Sequence, residues 1–253
     1  MQYLVSICIP AYKRISFVKR LLDSIATQTC KNFEVIVTDD SPDNSINELC
    51  QGYNDKYPLF YYRNQNPLGT PENWNEAIRR AKGQWIKLMH DDDWFTDEQS
   101  LARFETAVQK NPSASFIFSA YRNIFLDENR NQDVFMNSFR FWLARLNPVT
   151  LLSQNIVGPP SVVMHKNDGK FFYDPKLKWL VDIDFYIRYF HGERPLYIPG
   201  VSVNVGIGRE QVTRDCFGQR PVEIPDLPFV GWRKVCARRH PARISPCATP
   251  RDA

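Results

Sequence analysis

Along the first half of the chain, short runs of β-branched and aromatic residues alternate with stretches of helical periodicity. LVSICI (4–9) is an apolar run stopped by Pro10, and the stretch after it puts Phe17, Val18, Leu21, Leu22 and Ile25 on one helical face. FEVIVTDD predicts a second strand ending in acids, and 43–57 a second helix. LFYYRN, a helix over 71–81, WIKLM, a helix over 97–110 and SFIFSAY complete the series. Strands that alternate with helices of this length imply right-handed crossovers and an α/β architecture with a mainly parallel sheet. Ligands of such open sheets bind beyond the carboxyl ends of the strands. Three polar clusters fall at those ends: PAYKR, TDDSPDN and MHDDDW.

The second half is less regular. Residues 127–133 are polar and read as a turn or loop, and FRFWLARL reads as an amphipathic helix with Phe139, Trp142, Leu143 and Leu146 on its apolar side. GPPSVVMH predicts a tight loop entering a strand, and WLVDIDFYIRYF a helix. These patterns divide the chain into a first half, 1–121, and a second, 122–235, of the same domain. Residues 236–253 lack apolar periodicity and carry several prolines, so a disordered tail is expected there.

Composition narrows the classes. With 253 residues, 43% of them hydrophobic, the chain can build a large core without disulfide staples. Its six cysteines (Cys8, Cys30, Cys50, Cys216, Cys236, Cys247) form no CxxC pair, which suits reduced thiols. A net charge of +4 is too mild for a nucleic-acid partner and compatible with an anionic substrate or membrane surface. No apolar run is long enough to cross a bilayer, and no signal peptide is recognised. The expected location is the cytoplasm, free or peripheral at the inner face of the membrane.

The polar clusters carry the chemistry. In TDDSPDN, Asp43 or Asn44 suits an N-cap, which leaves Asp39 and Asp40 unexplained by turn chemistry. A carboxylate there can accept a hydrogen bond from the ring N–H of uracil or thymine. In QNPLGTPENW, Gly69 marks a turn or a close approach, and Asn73 stands at a helix start whose dipole favours phosphate. In HDDDWF, Thr96 and Gln99 read as a capping box, so the three acids just before them are surplus to capping. Hard oxygen ligands with open positions suit Mg²⁺ or Mn²⁺ and substrate phosphates.

The order PAYKR, TDDSPDN, NPLGTPEN, HDDDW resembles the nucleotide-sugar half of the family-2 glycosyltransferases, over about residues 4–121, with a weaker match through GPPSVV and WLVDIDFYIRY. The resemblance implies the GT-A fold, a Rossmann-like sheet flanked by helices with a less regular acceptor-side half. It implies inverting transfer of a sugar from a nucleoside diphosphate, UDP or dTDP, to a saccharide or lipid-linked saccharide acceptor, as in cell-surface polysaccharide synthesis. Pro10, Ala11 and Tyr12 would pack around the base, with Arg14 in the same nucleotide-sugar cluster and Asp40 contacting the base. Asn66, Gly69 and Asn73 would lie near ribose and diphosphate. Asp92 matches the metal-binding acid of the DxD motif, with Asp91 assigned to the nucleotide sugar and Asp93 to the metal. His90 stands where that motif has its first acid, so the metal is expected to depend mainly on Asp92. Gly158, Pro160, Ser161 and Trp179 would line the acceptor side. The pattern assigns the catalytic base to Asp182. Helical geometry agrees, since Asp182 and Asp184 lie about 200° apart on a helix and Asp184 can pair with Arg188 on its surface. Two rivals remain at this stage, a sugar nucleotidylyltransferase and a non-catalytic nucleotide-sugar-binding domain.

Overall fold

The computed structural model describes residues 3–208. Strands β1 (Val5–Ala11), β2 (Phe33–Asp39), β3 (Leu59–Arg63) and β4 (Trp85–Leu88) alternate with helices α1 (Ile15–Ala26), α2 (Ser45–Gln51) and α3 (Glu72–Arg80). They pair in parallel in the order β3-β2-β1-β4. Every residue of β1 and β2 is buried, as befits central strands covered on both faces. Helix α1 seats Val18, Leu21, Leu22 and Ile25 on the sheet. The chain runs outward from β1 to β3 and returns to the other side of β1 with β4, so the order reverses between β1 and β4, where such sheets bind ligands.

The rest of the sheet is mixed. After β5 (Trp94–Phe95) and α4 (Ser100–Lys110) come β6 (Phe116–Phe125), β7 (Arg130–Val134), α5 (Ser138–Leu146), β8 (Val163–Lys166), α6 (Val181–Gly192) and β9 (Pro195–Ile207). Strand β8 runs antiparallel to β4 and β6, β9 runs parallel to β6, and β5 adds antiparallel to β9. No helix among the described residues is long and apolar enough to cross a membrane.

Several expectations change. Helix α2 stops at Gln51 instead of reaching 57, because Tyr53 and Tyr57 turn in to the core, where their hydroxyls bond Asp23 and the Leu22 carbonyl. Helix α4 starts at Ser100, so Thr96 and Gln99 form no capping box. Asp97 closes the turn instead, its Oδ1 accepting from Gln99 N–H at 2.8 Å while Ser100 Oγ accepts from Asp97 N–H at 3.1 Å. The polar stretch 127–133 is a turn plus β7, half of a hairpin with β6. In α5 the apolar stripe read from the sequence faces outward, since Phe139, Trp142 and Leu146 are exposed while Phe141 and Ala144 pack inside. Cys8, Cys30 and Cys50 are buried free thiols. Cys216, Cys236, Cys247 and the tail lie outside the described residues.

Candidate active site

One cavity of about 1160 Å³ opens at the carboxyl ends of β1, β2 and β4 and extends to the head of α6. Its walls include Pro10, Ala11, Tyr12, Arg14, Asp40, Gly69, Asn73, Asp91, Asp92, Asp93, Pro160, Trp179 and Asp182, from stretches far apart in sequence. Asn66, Gly158 and Ser161 do not line it. Asn66 is exposed on its loop, and Gly158 and Ser161 lie behind the wall.

The acids after β4 are buried, at 3%, 8% and 2% exposed for Asp91, Asp92 and Asp93. Arg14, just past β1, clasps Asp91 with Nε at 3.1 Å and with Nη2, and reaches Asp92 Oδ2 from Nη1 at 3.4 Å. Burial still pushes the Asp91 carboxyl up to about 7 against that pull. Asp93 is driven well above the usual carboxylate range by burial and then by repulsion from Asp92, although Ser161 and the Gly206 N–H bond it. Arg20 donates to the Asp92 carbonyl at 2.9 Å and lies over the Trp94 ring. At Gly206, in β9, an added Cβ would stand 2.5 Å from that same carbonyl, so the crossing requires glycine.

A divalent cation fits here. His90, Asp92 and Asp93 each offer a ligand atom, all within 4.8 Å of one another. His90 Nε2 is buried with no hydrogen-bond partner, and burial holds the ring neutral by lowering its pKa to about 4. A neutral imidazole and two crowded carboxylates form a donor set that lacks positive charge. Sequence reasoning did not assign His90 to the metal, because the motif expects an acid there. Its ring packs on Trp74 at 4.6 Å, which fixes its orientation.

On the nucleotide side, Asp40 accepts from Asn64 Nδ2 at 2.8 Å, Leu68 N–H at 3.0 Å and Gly69 N–H at 2.8 Å. Of about four acceptor positions on a carboxylate, this leaves about one for a ligand. Gly69 has φ 68, the left-handed turn its position called for. Asn73, buried, donates toward the Ala11 and Thr38 carbonyls and ties the ends of β1 and β2 together.

Across the cavity, Asp182 opens α6. Its Oδ1 accepts from Ile183 N–H at 2.8 Å and its Oδ2 from Asn155 Nδ2 at 3.2 Å, and burial raises its pKa to about 6. Asn155 Oδ1 in turn accepts from Val157 and Gly158 N–H, both at 3.0 Å, so its amide is locked. The sequence offered no signal for Asn155, which sits in a turn without periodicity. Asp184 pairs with Arg188 at 2.9 Å as expected, yet it is 1% exposed and belongs to the core instead of the helix surface. Ser161 braces the two sides: its Oγ accepts from His90 N–H at 2.9 Å, its hydroxyl bonds Asp93, and its carbonyl takes the buried Lys87 ammonium.

The family model described as Glycosyl transferase family 2 matches residues 6–167. An uncharacterised glycosyltransferase of Haemophilus influenzae is 35% identical over 115 residues, 46% of this chain and 38% of that protein, so the chain spans well under half of this curated relative's length. Among solved structures, S. aureus TarS residues 1–349 in complex with UDP-GlcNAc superposes with a TM-score of 0.72 at 16% identity, covering 92% of this chain and 66% of that one. The mannosyltransferase PcManGT from Pyrobaculum calidifontis, in complex with GDP-Man and Mn²⁺, gives a TM-score of 0.62 at 14% identity and covers 95% of this chain and 65% of the other. These likenesses show the fold, which is GT-A.

Proposed function

This chain belongs to glycosyl transferase family 2, and we propose that it moves a sugar from UDP or dTDP to a hydroxyl of a saccharide or lipid-linked saccharide, with inversion at the anomeric carbon, in polysaccharide synthesis. The observation that carries this reading is that the acids after β4 and Asp182 at the head of α6 face one cavity. A cation on one wall and a base on the other suit a displacement in which the leaving diphosphate and the incoming hydroxyl lie on opposite faces of the sugar.

Pro10, Ala11 and Tyr12 wall the base, and Asp40 uses its remaining acceptor position for the ring N–H. Arg14 holds Asp91 beside the diphosphate. Mg²⁺ or Mn²⁺ held by Asp92, Asp93 and His90 would offset charge on the departing diphosphate. Asp182 takes the proton of the acceptor hydroxyl. Its raised pKa makes it a stronger base than an exposed carboxylate while leaving it ionised above about pH 6. Asn155 and the Ile183 N–H aim its two oxygens. Trp179 and Pro160, on the same wall, offer an apolar face to the acceptor sugar and help exclude water from the donor.

Incubation with radiolabelled UDP- and dTDP-sugars and Mn²⁺, with and without added pyrophosphate, tests the reading through slow donor hydrolysis. Release of free sugar and nucleoside diphosphate supports it. Release of a sugar phosphate, the product of a nucleotidylyltransferase running in reverse with pyrophosphate, or binding without turnover, would replace it with one of the two rival readings.

A further inference from the structure

Helix α5 carries apolar side chains on two opposite faces. Phe141 and Ala144 point inward, the Phe141 ring meeting Phe118 and Phe190. Phe139, Trp142 and Leu146 point outward at i, i+3 and i+7, and are 66%, 54% and 66% exposed. The Phe139 and Trp142 rings stack at 6.0 Å. One exposed apolar side chain is ordinary; three in a stripe on one helix mark a surface that something covers.

Charge identifies the cover. At about 100° per residue, Arg140 and Arg145 fall on opposite flanks of the stripe, and both are exposed. Between Asp133 and Asp168 the chain has no acidic residue. An apolar stripe with Trp and Phe at its centre and arginines at its edges matches the interfacial layer of an anionic bilayer, where rings enter the headgroup–acyl boundary and guanidinium groups reach lipid phosphates. A second copy of the chain is a poorer occupant, because a two-fold contact through this stripe would set arginines against arginines. The helix also adjoins the candidate site: it runs through Asn147 into the turn Pro148–Leu152, whose Leu151 and Leu152 line the cavity.

We propose that α5 is a docking helix that seats Phe139, Trp142 and Leu146 in the interfacial layer of an anionic lipid membrane, with Arg140 and Arg145 on the lipid phosphates. This surface lies outside the donor and metal residues and does not depend on the proposed reaction.

Co-sedimentation with vesicles of phosphatidylcholine alone, and of an equimolar mixture with phosphatidylglycerol, tests the proposal. The chain should partition onto the mixed vesicles roughly tenfold or more above the neutral ones, and less at high salt. Phe139→Ser with Trp142→Ser should reduce partitioning onto the mixed vesicles by about tenfold or more, with thermal midpoint and donor hydrolysis unchanged. Arg140→Gln with Arg145→Gln should remove only the preference for phosphatidylglycerol. Absence of partitioning onto either vesicle would overturn the proposal, as would partitioning that survives Phe139→Ser with Trp142→Ser. So would a concentration-dependent dimer, without vesicle binding, that the same double variant dissolves.

Discussion

The Asn155 side-chain amide donates to Asp182 Oδ2 at 3.2 Å, while its own oxygen is held by two backbone N–H groups. A turn that begins 27 positions upstream therefore aims the carboxylate at the head of α6. Asn155→Ala should lower kcat by about tenfold, the equivalent of one neutral hydrogen bond. Donor affinity should stay the same. The acid limb of the pH–rate profile should move upward, because the carboxylate loses a donor that favours its ionised form. A purely structural asparagine would change the thermal midpoint and leave that limb in place.

Asp182 carries the sharpest pH prediction. Transfer should fall below about pH 6 as the base protonates. Because burial raises this pKa in the folded state, the folded chain holds the carboxyl proton more tightly than the unfolded chain does. The stability it contributes is present at low pH and is lost as pH rises to about 6. Asp182→Asn should therefore cost about two to four orders of magnitude in transfer, retain donor binding, and melt no lower than the parent protein at pH 8. Asp184→Asn should do the reverse, destabilising by about 1–3 kcal/mol as the buried carboxylate's charge-assisted bond to Arg188 is lost while Arg188 keeps the Phe172 carbonyl. Full transfer activity in Asp182→Asn would refute Asp182 as the base, and Asp184, buried against Arg188 away from the cavity, could not replace it.

Asp40 is expected to act twice. Asp40→Ala should weaken UDP or dTDP binding by about 1–3 kcal/mol, the range for a charge-assisted hydrogen bond. It should also increase hydrogen exchange at the Leu68 and Gly69 amides, which it now accepts. Unchanged nucleotide affinity with faster exchange would make Asp40 a loop-holding residue alone.

Gly206→Ala is the structural control for the metal loop. Its new methyl group would meet the Asp92 carbonyl at 2.5 Å, and its N–H now bonds Asp93. Overpacking of this kind costs about 1–3 kcal/mol, so a lowered thermal midpoint and weaker Mn²⁺ binding are expected together.

The parallel half of the sheet was legible because β1, β2 and β4 are fully buried, and burial on both faces writes mostly apolar runs, broken here by the buried Ser6, Glu34 and Lys87. The acids after β4 stood out because they exceed what helix capping needs. They remain surplus in the structure, where α4 starts after Gln99 without a side-chain cap and Asp97 closes the turn before it. Strand β9 escaped notice because Pro199 and Gly200 interrupt its pattern beside a register shift in its pairing with β6. Periodicity found the apolar stripe of α5 and could not say which side it faces, since Phe141 and Ala144 supply a second apolar face. Asn155 and Arg20 gain their roles only where distant segments meet, and nothing in their local sequence marks them, while His90 stood out only as a departure from the motif's first acid.

Nucleotide binding is proposed to run through a cation at Asp92. Asp92 is buried, yet Asp92→Asn removes a charge that repels Asp93 and should leave the thermal midpoint nearly unchanged. Calorimetry of UDP and dTDP binding, with and without Mn²⁺, on the parent protein and on Asp92→Ala, is the most direct test. Mn²⁺ should tighten binding to the parent protein by an order of magnitude or more, about 1.4 kcal/mol or above, and have little effect on Asp92→Ala. Equal affinities in all four combinations of protein and metal would contradict it.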